Sequence, residues 1–324
     1  MNLPRNSRVQ ADSYRGVFPA MVLPLQRDGE IDFESLLRQV DFLLRGRVDG
    51  LWINGTSGDF FALDDDERAE VIKVVVRHVA GRVPVIAQVG DASTRRVISH
   101  ARRALEARAD AVSVTLPYYV DYSQDELKQH YRRVSDSIGR PVYLYQLPQM
   151  SKVSLTVPSI IELAEEEVLQ GIKDSSGDMQ FFYRLLREVD RSGVGLRCFT
   201  GVSSLVDVAL YMGAHGLMCI VANLLPHLCK DAYLRSLEAD WEGVKAVSSR
   251  IVALIDAFRL PGRNHWAPTV AVYKWVLCRL GVIATDIVFD PLKPLTPEEE
   301  ALLARDALPL ARELMGPLAL GDDL

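Results

Sequence analysis

The sequence has only four cysteines among its 324 residues, and no two of them form a closely spaced pair. They are Cys198, Cys219, Cys229 and Cys278, each in an apolar stretch of the chain. Zinc sites need cysteines at short, paired spacings, and disulfide frameworks are typical of short, secreted, cysteine-rich chains. The sequence therefore predicts reduced, buried cysteines and indicates neither a disulfide framework nor a metal site.

An excess of positive charge is also missing. The chain carries 37 Lys and Arg residues against 43 Asp and Glu residues, for a formal net charge of -6. This balance gives no basic surface for nucleic acid or for an anionic membrane. No uninterrupted apolar run is long enough to span a bilayer, and residues 1–8 lack the apolar core of a secretory signal. We expect a soluble, cytoplasmic protein whose ligand is a small neutral or anionic metabolite.

Lysine is scarce, with eight residues against twenty-nine arginines. One of the eight, Lys173, ends an apolar strand-like run at residues 168–173 and is followed at once by turn-forming residues 174–178. Lysine differs from arginine because a desolvated amine can lose its proton and attack a carbonyl. Lys173 is therefore a candidate Schiff-base nucleophile, although a strand-end lysine more commonly extends its amine to solvent.

Short apolar runs alternate with longer amphipathic segments from residue 16 to about residue 240. This alternation is typical of repeated βα units around a parallel sheet. Eight such units predict a (β/α)8 TIM barrel of the α/β class rather than an open doubly wound sheet. The expected strands lie at residues 17–23, 50–54, 83–89, 111–116, 142–146, 168–173, 196–200 and 216–221.

Beyond residue 240 the strand pattern stops and three helical segments remain, near residues 241–260, 268–280 and 296–314. Several helix starts are well marked, because Asp64, Ser123 and Thr296 each precede a glutamate by three residues, the spacing of a capping box. We therefore predict a catalytic barrel over residues 1–240 and a C-terminal three-helix extension over residues 241–324.

In a parallel barrel the carboxyl ends of all strands meet on one face, so residues that are distant in sequence converge there. That rim should hold residues 55–59 after strand two, residues 117–119 after strand four, Tyr145 and Lys173 at the ends of strands five and six, and Gly201 after strand seven. An amine can attack a ketone, a phenol can move protons, and hydroxyls with backbone amides can hold a carboxylate. These groups together suit a 2-keto acid.

The loop after strand two offers two kinds of group. Gly55 and Gly58 allow the backbone to approach a ligand closely and to turn successive amides toward an anion. Thr56 and Ser57 add hydroxyls, although both could serve only to stabilise the turn. No lysine follows the second glycine, so the loop is not a nucleotide-binding P-loop.

At these positions the chain resembles the pyruvate-dependent class I aldolases and lyases that are grouped with dihydrodipicolinate synthase and N-acetylneuraminate lyase. The resemblance covers nearly the whole chain. It rests on four motifs in the family's order and at family-like separations, at residues 55–60, 117–119, 143–148 and 171–174. Any one motif alone would be weak, whereas four in order are specific.

The resemblance implies that Lys173 forms an imine with pyruvate or a longer 2-keto acid, and that Tyr145 relays protons to and from it. Thr56 would link Tyr145 to Tyr119, a residue that this family often contributes across a subunit interface. The covalent imine on Lys173 would make a separate cofactor unnecessary. Because the family usually assembles as a dimer of dimers, a homotetramer is also implied.

The resemblance also implies a binding pocket. Ser57 and the backbone amides beside it would cradle the substrate carboxylate, with Gly55 and Gly58 shaping that loop. Gly201 and the backbone around Met218 would line the rest of the pocket.

Two departures from the family narrow the substrate. In dihydrodipicolinate synthase an arginine soon after the strand-five tyrosine grips the second substrate's carboxylate, whereas this chain has Gln149, Met150 and Ser151 there. In N-acetylneuraminate lyase the loop after strand seven offers acidic side chains to the polyol tail, whereas this chain has residues 202–205, Val-Ser-Ser-Leu. The first departure disfavours the dihydrodipicolinate synthase reaction of lysine biosynthesis, and the second disfavours sialic acid as the substrate.

Ser175, Ser203 and Ser204 could hydrogen-bond the hydroxyls of a smaller sugar acid, and Met150 would add an apolar wall. The simplest role of Ser175, however, is to cap the helix that follows. The expected substrate is a 2-keto-3-deoxy sugar acid, which is either cleaved or dehydrated through the same imine. Cleavage is favoured because it needs fewer special groups. Dihydrodipicolinate synthesis and a non-catalytic, keto-acid-binding relative are the remaining alternatives.

Overall fold

Eight parallel strands form one sheet that curls until its two edges meet. The computed structural model describes residues 14–263 and 266–318, so residues 1–8, on which the expectation about secretion partly rests, lie outside the described chain. The strands are β1 (Gly16–Val17), β2 (Leu51–Ile53), β3 (Val85–Gln88), β4 (Ala111–Thr115), β5 (Val142–Gln146), β6 (Leu169–Asp174), β7 (Arg197–Thr200) and β8 (Gly216–Leu217).

The order of strands in the sheet closes the barrel. Neighbouring strands run β1-β8-β7-β6-β5-β4-β3-β2, all parallel, and a bridge between Ala20 and Trp52 joins the two ends. This topology confirms the predicted (β/α)8 barrel. The helices are α1 (Phe33–Arg45), α2 (Asp65–Val79), α3 (Thr94–Glu106), α4 (Gln124–Ile138), α5 (Pro148–Ser151), α6 (Val157–Glu165), α7 (Met179–Ser192), α8 (Val206–Tyr211), α9 (Pro226–Leu237), α10 (Trp241–Ala257), α11 (Ala267–Arg279), α12 (Pro297–Asp306) and α13 (Leu308–Met315).

Two apolar cores follow from the alternation of side chains along each strand. On β5, Tyr143 and Tyr145 belong to a small, largely aromatic core inside the barrel, whereas Val142 and Leu144 belong to a large core between the strands and the surrounding helices. The barrel interior is therefore packed with rings, and its chemistry is confined to the ends of the strands.

Strands β1 and β8 are shorter than the sequence predicts. After Val17 the backbone hydrogen bonds toward the β8 side are isolated and do not form a continuous ladder, because Pro19 has no N–H to donate. After Leu217 the chain soon turns into a 3-10 helix, Ile220–Asn223. The Asn223 amide stabilises this turn by donating to the carbonyls of Ala20 and Ile220, both at 2.8 Å.

The three predicted capping boxes are present. Asp64, Ser123 and Thr296 each accept a backbone N–H in the first turn of α2, α4 and α12, and the glutamate three residues later bonds back to the cap. Because these caps satisfy otherwise unpaired backbone groups, they explain why the predicted helix starts agree with the structure.

The C-terminal segment differs in one respect from the prediction. The third predicted helix, near residues 296–314, is two helices, α12 and α13, that meet at Ala307. Pro309 in the first turn of α13 cannot continue the hydrogen bonding of α12, because it lacks an N–H. The division into domains at residue 240 stays a prediction. None of the helices within residues 14–263 and 266–318 has the length and apolarity needed to cross a membrane.

Barrel closure yields a prediction at Gly216, which pairs with Gly16 where β8 meets β1. A Cβ atom at Gly216 would lie 2.0 Å from the Gly16 carbonyl oxygen, so the two strands would have to separate. We expect Gly216→Ala to lower the free energy of unfolding by about 1–3 kcal/mol, as overpacking does. Urea denaturation measures it. Gly195→Ala is the control, since a Cβ there meets nothing within 4 Å; equal stabilities would contradict the prediction.

Candidate active site

A cavity of about 840 Å³ opens at the carboxyl ends of the strands. It brings together nine of the twelve site residues predicted from the sequence: Thr56, Ser57, Tyr145, Met150, Lys173, Ser175, Gly201, Ser203 and Met218. The other three, Gly55, Gly58 and Tyr119, do not line it. The convergence of the strand ends therefore places most of the predicted site residues on one face of the barrel.

Lys173 lies near the end of β6, in register with Tyr145 on β5 and Phe199 on β7. Its residue is 3% exposed, and Nζ lies 4.4 Å from the centre of the Tyr145 ring and 4.7 Å from that of Trp52. Burial lowers the pKa of the Lys173 amine from 10.5 to about 7, because desolvation disfavours the charged form. A large share of the amine is therefore neutral at physiological pH.

The Tyr145 hydroxyl lies 3.2 Å from the Thr56 Oγ1 atom, in hydrogen-bonding contact. Burial raises the pKa of the Tyr145 phenol, and contacts with Thr56 and Ser175 oppose that rise. The phenol therefore keeps its proton at neutral pH and can donate it. Because the Tyr145 ring also faces the Lys173 amine, the acid and the amine share one apolar site.

Tyr119 lies apart from this group. It is 92% exposed, and its φ of 90° is in the left-handed region that non-glycine residues seldom adopt. The predicted link from Thr56 to Tyr119 is thus not formed within a single described chain. The contribution of Tyr119 across a subunit interface, and the homotetramer, stay predictions.

Gly201 lies directly against the reactive side chains. A Cβ atom there would be 2.0 Å from Ser175 Oγ and 2.9 Å from Lys173 Cε, so only glycine leaves both side chains in place. Ser175 does not cap α7, whose N-cap is Asp178. Ser175 instead lines the cavity, as its predicted binding role requires.

Gly55 and Gly58 serve the packing of the loop after β2. A Cβ atom at Gly55 would lie 2.8 Å from Trp52 Nε1, and one at Gly58 would lie 3.1 Å from the Met21 carbonyl oxygen. Glycine at both positions therefore allows this close packing, and the short 3-10 helix Thr56–Gly58 presents Thr56 and Ser57 to the cavity. The carboxylate cradle formed by this loop stays a prediction.

Sequence reasoning missed a second buried lysine behind this loop. Lys274 on α11 and Asp59 are both fully buried, and Lys274 Nζ lies 3.0 Å from Asp59 Oδ2 and 3.1 Å from the Ile287 carbonyl oxygen. Burial lowers the pKa of Lys274 and raises that of Asp59, while their mutual attraction opposes both shifts. A lysine inside the apolar run 270–277 was the available signal, and it resembles the one that singled out Lys173.

The C-terminal residues also contribute more than the sequence suggested. The far wall of the cavity comes from the end of α10, the segment that follows it and α11, including Phe258, Arg259, Arg263, Trp266 and Tyr273. No group of three or more His, Cys, Asp or Glu side chains within the described chain is placed to hold a metal ion.

The fold and this site are those of a lyase of the class I aldolase type. The model of the dihydrodipicolinate synthetase family matches residues 13–308. The chain therefore belongs to that family of pyruvate-dependent aldolases and lyases.

Relatives and solved structures agree with this assignment. The 4-hydroxy-tetrahydrodipicolinate synthase of Phenylobacterium zucineum is 33% identical over 297 residues, 90% of this chain and 94% of that protein. The synthase of Staphylococcus carnosus is 35% identical over 223 residues, 69% of this chain and 75% of that protein.

Among solved structures, dihydrodipicolinate synthase from Bacteroides thetaiotaomicron is 27% identical with a TM-score of 0.85, over 97% of this chain and 100% of that one. The family member YagE from E. coli K12, solved with pyruvate, has the same fold at 24% identity, with a TM-score of 0.85 over 93% of this chain and 98% of that one.

The Lys274–Asp59 pair yields a prediction about stability. Removing one member of a fully buried ion pair leaves the other charge uncompensated, so we expect Lys274→Met to lower the free energy of unfolding by about 3–5 kcal/mol. Chemical denaturation measures the loss. The double variant Lys274→Met/Asp59→Asn should recover part of it, because both charges are then gone and asparagine tolerates the positive φ of position 59.

The control is Lys245→Met, which removes an exposed lysine from α10 and should change stability little. A Lys274→Met protein as stable as this control would contradict the importance of the buried pair.

Proposed function

We propose that the protein is a Schiff-base lyase that cleaves a 2-keto-3-deoxy sugar acid into pyruvate and an aldehyde. The observation that carries the proposal is the Lys173 amine, whose pKa is lowered by burial to about 7, facing the ring of Tyr145 in the cavity. A neutral amine beside a protonated phenol is the pair that imine formation needs.

Imine formation begins when neutral Lys173 adds its Nζ lone pair to the C2 carbonyl carbon of the keto acid. The carbonyl oxygen gains a proton and the nitrogen loses one, which gives a carbinolamine. Tyr145 donates the further proton that lets the hydroxyl leave as water, and the positively charged iminium remains. Thr56, in contact with the Tyr145 hydroxyl, passes protons between the phenol and the cavity.

Carbon–carbon cleavage then uses the iminium as an electron sink. The C4 hydroxyl loses its proton, the C3–C4 bond breaks, and its electron pair moves toward the iminium nitrogen to give an enamine and a free aldehyde. Protonation at C3 and hydrolysis by one water release pyruvate and restore the amine. Tyr145 moves the protons of both stages, because its ring faces the Lys173 amine.

Dihydrodipicolinate synthesis is the second candidate, since the relatives above carry that name. Against it stands the stretch after β5, where the family arginine is absent. The Gln149 amide there donates to the carbonyls of Ser175 and Ser176, at 3.2 and 2.8 Å, and Met150 is 45% exposed. Neither side chain offers a guanidinium to a second substrate. Ser175 and Ser203 in the cavity wall suit the hydroxyls of a sugar acid instead.

Trapping with borohydride tests the proposal. We expect pyruvate and borohydride together to add one reduced pyruvate to the protein, mapped to Lys173 by peptide mass spectrometry, and Lys173→Ala to take up none. Lys274 is the internal control, since it is equally buried but paired with Asp59 and outside the cavity wall. An adduct on another lysine, or no adduct, would refute the mechanism and favour a non-catalytic keto-acid-binding protein.

The lowered pKa of Lys173 predicts the pH dependence of imine formation. A lysine with a pKa of about 7 becomes mostly neutral above pH 7, so the rate should rise about tenfold per pH unit well below pH 7 and level off above about pH 8. Initial rates of trapping by cyanoborohydride between pH 5 and pH 10 measure this profile. A rate that still climbed steeply from pH 8 to pH 10 would show an ordinary lysine with its usual pKa.

A further inference from the structure

The cavity is much larger than pyruvate requires. Its volume of about 840 Å³ lies in the range that holds a drug-sized ligand, whereas pyruvate has only six heavy atoms. Lys173 and the serines stand at the end formed by the barrel strands. The opposite wall comes from described residues within 255–263 and 266–273. A longer substrate would therefore bring its distal end against the C-terminal segment.

The charges that line this cavity all have one sign. Among the described residues of the wall, three carry side chains that can be positive, Lys173, Arg259 and Arg263, and none is an aspartate or a glutamate. The whole chain, in contrast, has a net charge of -6. At the far wall the charged groups that face the cavity are the two arginines, and the carboxylates paired with them, Asp256 and Glu299, do not line it.

Arg263 is held in a fixed orientation. Its Nε lies 2.6 Å from Glu299 Oε1 and its Nη2 lies 2.8 Å from Glu299 Oε2, with side chains that are 20% and 14% exposed. These contacts occupy one edge of the guanidinium, and no partner for Nη1 lies within the described residues. Trp266 lines the same wall, and its buried indole N–H has no hydrogen-bond partner among them either.

Arg259 is held less firmly. Its side chain is 81% exposed and pairs with Asp256 at 2.9 Å, one turn earlier near the end of α10. Arg263 is thus the preoriented member of the pair, and Arg259 adds positive charge at the entrance.

We propose that Arg263 is a specificity-determining residue that binds a second anionic group, a carboxylate or a phosphate, at the end of the substrate away from its 2-keto acid group. This proposal rests on the proposed function and refines its substrate class to sugar acids with an anionic distal end. Arginine suits the role because its planar donors match carboxylate and phosphate oxygens.

Kinetics on matched substrates test the role of Arg263. Three 2-keto-3-deoxy acids of equal chain length would differ only at the distal carbon, which carries a hydroxymethyl group, a carboxylate or a phosphate ester. We expect the wild-type protein to prefer an anionic substrate. In Arg263→Met, kcat/KM for that substrate should fall roughly tenfold to a hundredfold more than for the hydroxymethyl substrate, the loss typical of a charge-assisted hydrogen bond.

Comparison of the carboxylate substrate with the phosphate ester identifies the distal group that Arg263 binds. A selective loss on the carboxylate substrate assigns an aldaric acid, and a selective loss on the phosphate ester assigns a sugar-acid phosphate. Arg305→Met is the control, because it removes an exposed arginine from α12 that is paired with the neighbouring Asp306. The control should leave the preference between substrates as it is in the wild type.

A purely structural role for Arg263, tying its segment to α12 through Glu299, would lower kcat/KM equally for all three substrates and would overturn the proposal. A wild-type protein without preference for an anionic end would overturn it too. If Arg263→Met fails to fold, Arg263→Met/Glu299→Gln removes both charges together, keeps the capping box of α12 and gives the same comparison.

Borohydride trapping on the wild-type protein separates the two proposals. Without a pyruvate adduct on Lys173 the proposed function itself fails. With that adduct and an unchanged substrate preference in Arg263→Met, only the inference about Arg263 fails.

Discussion

Desolvation of one amine is the constraint on which the site depends. Lys173 lies at the end of a strand whose neighbours point aromatic rings into the barrel, so the ammonium form has lost most of its water and no described carboxylate pairs with it. The residues around Lys173 maintain this desolvated environment. Gly201 provides the space that the Lys173 side chain occupies, and the Tyr145 phenol keeps its proton for the same reason that the amine loses one.

Different parts of the fold contribute to this environment. Parallel strands gather the reactive groups on one face, while the aromatic core beneath them excludes water from the barrel interior. The C-terminal helices then complete the pocket, since they supply its far wall and, through Lys274, the partner of Asp59 behind the Thr56 turn. The loop that carries the hydroxyls is thus supported from the opposite end of the sequence.

Much of this could be predicted from the sequence, because it depends on local signals. Lys173 and Tyr145 lie one residue before the carboxyl ends of β6 and β5, and a residue in that position of a parallel barrel lies near the rim. The capping boxes and the barrel class follow from patterns of similar range. Arg263 and Lys274 were missed because their meaning arises only when helices close over the barrel, a contact between distant residues that periodicity does not encode. Tyr119 shows a further limit, since one chain leaves it exposed.

An amine that is neutral before any substrate binds has little selectivity of its own among carbonyl compounds. On the proposed mechanism, any small aldehyde or ketone that reaches Lys173 can condense with it, including reactive carbonyl by-products of metabolism. Lys274, the other buried lysine with a lowered pKa, is sealed behind the loop and escapes this exposure. Selectivity therefore has to come from groups that never react. Condensation with an unwanted carbonyl compound would block Lys173. The groups that control access to the cavity would therefore also protect the protein from inactivation.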